Sequence, residues 1–133
     1  MRLLVALVLL LGCATTVPVQ AIEVSNQTAL AVTLVVNGTA LRTFPPGVVG
    51  TVGLSDLPPL PWSVEARSPS GRALTSMHVR PGDVRETTNP DGSRMYVGAA
   101  TRVDLSCGRL DVWSGPPLAG PMPGPGKAGD CAP

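Results

Sequence analysis

Aromatic residues are scarce. Phe44, Trp62, Tyr96 and Trp113 are the whole set, so valine and leucine must fill any core. Histidine is scarcer still: His78 stands alone. Any zinc set or Ser-His-Asp arrangement that needs histidine has only that residue to use. Cys-x-x-Cys, His-Glu-x-x-His and phosphate-cradling glycine loops are all missing, and with them the commonest redox, metalloprotease and nucleotide-binding signatures. No cofactor is expected. Long apolar runs are missing too. The longest, from Leu3 to Leu11, falls well short of the roughly 20 residues that span a bilayer as a helix. Charge of one sign is not in excess: without Arg2, nine basic and nine acidic side chains remain. The basic residues are scattered, so nucleic acid is not an expected partner, nor is electrostatic attachment to a membrane surface.

Glycine and proline are abundant, fifteen of each. Both are poor in helix interiors, so the composition is all-β with many turns. A chain of 133 residues makes one domain. The expected fold is a single small antiparallel β-sandwich of roughly seven or eight strands. An N-terminal signal helix precedes it and a Pro/Gly-rich C-terminal strap comes after it.

Met1-Arg2 and the apolar run after them have the form of an export signal. Leu10-Leu11-Gly12-Cys13 resembles the bacterial lipobox, in which the cysteine receives lipid, and Ala14-Thr15-Thr16 suits the polar tether of such lipoproteins. That resemblance implies a signal over 1–12, lipidation at Cys13 and a tether over 13–21. Val19-Gln20-Ala21 offers an alternative end at 21, with small residues where a secretion peptidase reads them. Either ending places the folded part outside the cytoplasm, as a cell-envelope lipoprotein or a secreted protein. Its only expected membrane contact is the anchor at Cys13.

The domain proper is expected over 22–114. Ile22-Glu-Val24 starts a short strand that Ser25–Thr28 breaks. Leu30–Val36 is the clearest strand, with Leu30, Val32, Leu34 and Val36 on one face. Asn37-Gly38 is a hairpin turn, and Thr39–Phe44 returns until Pro45-Pro46-Gly47 ends the strand. Asn26 and Asn37 both match the glycosylation pattern, which carries little meaning behind a bacterial-type signal. Val48–Leu54 is the next strand, weakened by glycine. Asp56–Pro61 is an extended connector. Trp62–Ser68 then alternates, with Trp62, Val64 and Ala66 inward, and Arg72–Val79 returns. Residues 84–94 are expected to be the least structured part, turning at Asn89–Gly92, with Met95-Tyr-Val97 resuming a strand before the last hairpin.

Leu57-Pro-Pro-Leu-Pro-Trp-Ser-Val-Glu-Ala66, with Gly71 beyond it, resembles the proline, aromatic and alternating strand of fibronectin type III and related immunoglobulin-like domains. The spacing from Pro59 to Trp62 is one residue shorter than in those domains. The resemblance implies a sandwich and no single function.

Arg102–Trp113 reads as a hairpin turning over Ser106–Arg109. In that register Leu105 faces Leu110, Val103 faces Val112, and Asp104 opposes Asp111 on the outer face. Two carboxylates are too few for a hard cation, so no metal site is expected. Cys107 and Cys131 are the cysteines left once Cys13 is lipidated or removed, and an even pair in an exported chain most often forms a disulfide; a free thiol, an intermolecular bridge or a metal site are the alternatives. Residues 115–133 then become a closed strap rather than a tail, of partly polyproline character.

No Gly-x-Ser-x-Gly elbow accompanies His78. Glu65 and Glu86 sit in solvated contexts rather than in a paired carboxylate cleft. The chain is therefore expected not to be an enzyme. Its partner is expected to be an extracytoplasmic protein or envelope component, with Trp113 and Met122 as the candidate binding surface. A secreted inhibitor or peptide-binding module that presents the strap is the alternative. A small hydrolase using His78 with Asp83 or Asp104 is the remotest reading.

Overall fold

The computed structural model describes residues 21–118, 120 and 124–133. The chain is all-β, with ten strands among the described residues: β1 (Ile22–Gln27), β2 (Val32–Val36), β3 (Thr39–Phe44), β4 (Val49–Val52), β5 (Trp62–Arg67), β6 (Ala73–Val79), β7 (Arg85–Thr88), β8 (Arg94–Val97), β9 (Ala99–Leu105) and β10 (Gly108–Ser114). They form three antiparallel sheets. The first has the order β4-β1-β10-β9, the second β3-β2-β5-β6, and β7-β8 stands as a two-stranded ribbon. The signal over 1–12, Cys13 and most of the tether lie outside the described residues. No described helix is long and apolar enough to cross a membrane.

Both four-stranded sheets contribute to one core. Ile22, Val24, Leu110 and Val112 come from the first sheet. Val32, Leu34, Phe44, Trp62, Val64 and Val79 come from the second. The period-2 sets expected from the sequence are the buried ones: Leu30, Val32, Leu34 and Val36, and then Trp62, Val64 and Ala66. Trp62 is the largest of the fully buried side chains, and its indole N–H donates to the Pro58 carbonyl at 2.7 Å. The proline connector thus serves the core by supplying the acceptor that a buried indole needs.

Asn37-Gly38 makes the expected turn, with Asn37 at φ 50°. Its carboxamide also reaches β5, where Oδ1 accepts from the Ser63 N–H at 2.8 Å. A bulge between Leu34 and Val35 puts Leu41 out of register on β3. β4 is shorter than the sequence suggested and lies at a sheet edge. Leu54–Asp56 leaves it as a 3-10 turn.

Three expectations are corrected. β1 does not break at Ser25; it runs through to Gln27, pairing with β10 from Glu23 to Gln27. Its Asn26 is fully buried. The carboxamide donates to the carbonyls of Leu30 (2.8 Å), Phe44 (2.9 Å) and Pro45 (3.2 Å), and accepts from the N–H and Oγ1 of Thr28. A side chain so engaged cannot be a sugar acceptor. The stretch 84–94 is not the least structured part: Arg85–Thr88 forms β7, Asn89–Ser93 makes the expected turn, and Arg94 opens β8, the two strands pairing from Arg85–Val97 to Thr88–Arg94. The turn between them is tied by Asp91, whose Oδ1 accepts from the N–H and Oγ of Ser93.

The third correction moves the β9–β10 register by two residues. Leu105 pairs with Gly108 across a two-residue loop, Ser106-Cys107, so Val103 faces Leu110. Gly108 has φ +134°, and a Cβ there would come within 1.8 Å of the Gln27 carbonyl oxygen. Only glycine lets the hairpin turn that early against β1. The shift keeps every side chain on its expected face but replaces the opposed carboxylates with opposite charges. Asp104 now faces Arg109, and Arg102 faces Asp111. A cross-strand pair of opposite charges is favourable where like charges are not.

Candidate functional site

The C-terminal segment rests on a seat built by both large sheets. From β10 the chain reverses at Gly115, φ +91°, where a side chain would press on Gly98. Leu118, Gly120 and Gly124 then lie beside Arg102 and Asp104 on the outer face of β9, the edge strand of its sheet. A proline- and glycine-rich ribbon has no internal ladder, so its backbone groups need partners elsewhere. The Arg/Asp ladder supplies them. Arg102 pairs with Asp111 and also donates from Nη2 to the Leu118 carbonyl at 3.2 Å. Asp104 accepts from Arg109 at 2.7 Å and from the Gly124 N–H. The Arg109 hydrogen bond is the main reason the Asp104 carboxyl titrates below its ordinary value, with the Gly124 N–H adding to it against partial desolvation. The outer face on which the sequence placed Asp104 and Asp111 is the strap's bed.

Gly126 comes closest. A Cβ there would lie 2.1 Å from the Ser106 nitrogen, so the ribbon passes this turn only as glycine. Gly126→Ala is expected to lift the segment from the β9–β10 turn while the two sheets stay folded. Amide exchange at Ser106 should quicken several-fold, with a modest fall in the urea midpoint from the lost Asp130 bonds. Unchanged protection at Ser106 would contradict this.

Beyond Gly126 a tight turn is held by Asp130. Its Oδ2 accepts from the Lys127 N–H at 2.6 Å, and its Oδ1 accepts from the N–H (2.9 Å) and Oγ (2.6 Å) of Ser106. Cys131 stands beside Cys107 at disulfide geometry, Cα–Cα 6.1 Å. The segment then crosses to the second sheet. Arg72, just after the β5–β6 turn, donates from Nη2 to the carbonyls of Asp130 and Ala132, both at 2.7 Å. Ser70 Oγ donates to the Pro133 carbonyl at 2.7 Å. One strap therefore ties together the ends of two hairpins from different sheets, and leaves Lys127, Ala128 and Gly129 exposed at its tip.

The Asp130 carboxyl is held below its ordinary value near 3.8, first by the Ser106 hydroxyl, then by the Ser106 N–H, with the Lys127 N–H and the Arg72 charge assisting against desolvation. The docked form prefers the carboxylate, so this contribution is complete above the unfolded pKa of about 3.9 and lost as pH falls through the lower docked value. Ser106 amide protection is expected to hold from neutral pH to about 4 and to fall below it. Asp130→Asn should abolish that pH dependence. A wild-type protection that is flat in acid would refute the link.

The other sequence candidates fall apart in space. Trp113 is half-buried on the outer face of β10, and its indole N–H is shielded with no partner among the described residues. Met122, its proposed companion, lies outside the described residues. His78 is exposed on β6 and paired across the ladder with Ser63. Asp83 accepts from the Arg80 N–H and Asp104 from Arg109; neither hydrogen-bonds His78. Glu65 pairs with Arg67, and Glu86 with Arg94. No group of three or more potential metal ligands occurs among the described residues.

Sequence reading missed three features. The β7–β8 arm carries Met95 and Tyr96 about half exposed. A pair of shallow depressions of about 300 Å³ each shares Leu41 and Asp56 along the β3 edge. The Ser70/Arg72 clamp gives no sequence signal, because Asp130 lies 58 residues from its arginine. No protein-family model, curated protein or solved structure matches the chain.

Proposed function

We propose that this chain is exported, folds as an immunoglobulin-type β-sandwich and acts outside the cytoplasm without catalysis. Its contact surface is the disulfide-closed C-terminal strap, and its partner is an extracytoplasmic protein or envelope component. Cys13 is the candidate lipid anchor, and a disulfide at Cys107–Cys131 is compatible with export. Strand order supports the sandwich. β3-β2-β5-β6 is the C′-C-F-G order of immunoglobulin-type sheets, and the neighbours β1 and β4 take the places of B and E. The stretch that resembles fibronectin type III domains forms β5, in the F position. β10 occupies the place of the first strand, A, and β9 extends the sheet beyond it.

The observation that carries the functional reading is the double fixing of the strap. Side-chain and backbone bonds from two hairpin ends, together with a covalent bond, hold a segment whose tip, 127–129, is bare. A segment ordered in advance loses less conformational freedom on binding. A photo-crosslinking residue at Ala128 of the exported protein should give one discrete adduct with an envelope component. The adduct should vanish in the Cys107→Ser/Cys131→Ser chain. An adduct from the same probe at Tyr96 and none from 127–129 would move the contact surface to the β7–β8 arm. The inhibitor reading suits the tip less well, because the Lys127 carbonyl accepts from the Asp130 N–H at 3.2 Å. That bond folds the tip into a turn rather than an extended ribbon.

A further inference from the structure

We infer that the seat of segment 124–133 also accepts the same segment from a second copy of this chain. Two copies then exchange C-terminal segments and are joined by two Cys107–Cys131 bonds. The exchange does not depend on what the tip contacts in the envelope.

Three observations lead there. The first is that the segment is a self-contained unit. The Lys127–Asp130 bonds and the Ala132 N–H to Gly129 carbonyl bond lie within it and travel with it. Every described anchor outside it belongs to the body: Asp104 to the Gly124 N–H, Ser106 to Asp130, Arg72 to the carbonyls of Asp130 and Ala132, and Ser70 to Pro133. None of these requires the segment and the seat to be on one chain.

The second is the hinge. The chain folds back because Gly115 takes φ +91°, and Pro116 and Pro117 stiffen the backbone immediately beyond it. If Gly115 adopts an extended conformation, the strap is directed away from its own body. Hinge rearrangement of this kind is the usual route to exchange of an identical element between protomers.

The third is the lock. The Cys107 N–H donates to Cys131 Sγ at 3.1 Å, which favours Cys131 as the leaving thiolate. Both cysteines are only partly buried. An external monothiolate attacks Cys107 Sγ; the Cys107–Cys131 bond breaks and Cys131 leaves as a thiolate. That thiolate attacks Cys107 Sγ of a second copy and displaces the second copy's Cys131. The displaced Cys131 attacks the mixed disulfide on the first copy and returns the monothiol. Two intrachain bonds become two interchain bonds, with no net oxidation and the thiol as catalyst. The short tether keeps the cis partner at an effective concentration on the order of millimolar, so closed monomers prevail in dilute solution.

The test mixes equal amounts of ¹⁵N-labelled and unlabelled full-length protein at about 1 mM with substoichiometric glutathione. Thiols are then trapped by acid and alkylation, and disulfide-linked peptides are mapped. We expect peptides that join a labelled Cys107 to an unlabelled Cys131, and the reverse. They should increase with protein concentration and be absent when glutathione is omitted. Asp130→Asn leaves both cysteines and the sheets in place and removes a contact that the segment makes equally in cis and in trans, so exchange should be several-fold faster while the final yield hardly changes. Failure to find mixed-label Cys107–Cys131 peptides would overturn the inference. So would Cys107–Cys107 or Cys131–Cys131 bridges alone, or an unchanged rate of exchange in Asp130→Asn.

Discussion

Asn26→Ala is expected to lower the unfolding free energy by about 3–5 kcal/mol, the largest effect of any single polar substitution in this protein. Asn26 is fully buried and makes five hydrogen bonds with backbone and with Thr28. Truncation leaves the Phe44 carbonyl and the Thr28 N–H without these partners in a dry interior. Each buried polar group stranded in that way costs about 1–3 kcal/mol. The same bonds join the end of β1 to the end of β3, across the two sheets, so the loss is shared by the whole core. Asn26→Asp should be comparably severe: it keeps the acceptor for Thr28 but turns the donor toward carbonyl oxygens into a buried negative charge. Urea denaturation with an unchanged slope and a lowered midpoint is the expected readout. A shift below about 1 kcal/mol in both variants would mean that water replaces the carboxamide.

Cys107→Ser/Cys131→Ser is expected to cost about 3 kcal/mol, because a closed loop of this length restricts the unfolded chain by that amount. At this domain size the melting temperature should fall by roughly 10–15 °C. The substitution should also change how the strap's other anchors count. In the disulfide-bonded chain, Ser106, Asp130 and Arg72 act on a segment already held in place. Without the bond, the same contacts must order a long, flexible tail by themselves. Arg72→Ala should therefore be measurably destabilising with the disulfide and nearly silent without it, a non-additivity a double-mutant cycle reads directly. Equal effects of Arg72→Ala in both backgrounds would show that the strap stays docked without its lock.

The all-β class was legible from the abundance of glycine and proline, and much of the core from alternation. Leu30, Val32, Leu34, Val36, Trp62, Val64 and Ala66 were each expected inward, and each is buried. Asn37-Gly38 named its turn because few residues accept positive φ. The β9–β10 register was off by two because alternation fixes the face of a strand and not its partner. Gly108 at positive φ is what shortens the loop to two residues. β7 was hidden because it buries no continuous apolar face, so no period shows; β8 was legible only as the short run Met95–Val97. Asn26 did leave a trace: an Asn two residues before a Thr forms a local Asx-type bond. Its three carbonyl partners, however, arrive from the fold. The strap was legible as a cysteine pair joined by a Pro/Gly ribbon. Its seat was not, since Ser70 and Arg72 reach it from the other sheet.

The central claim is that residues 115–133 form a closed strap rather than a free tail. Its most direct test is peptide mapping of the exported protein, isolated dilute and under acid, with free thiols alkylated before digestion. The Cys107 peptide is predicted to be linked to the Cys131 peptide of the same chain, with neither cysteine alkylated. Alkylation of both would contradict the account.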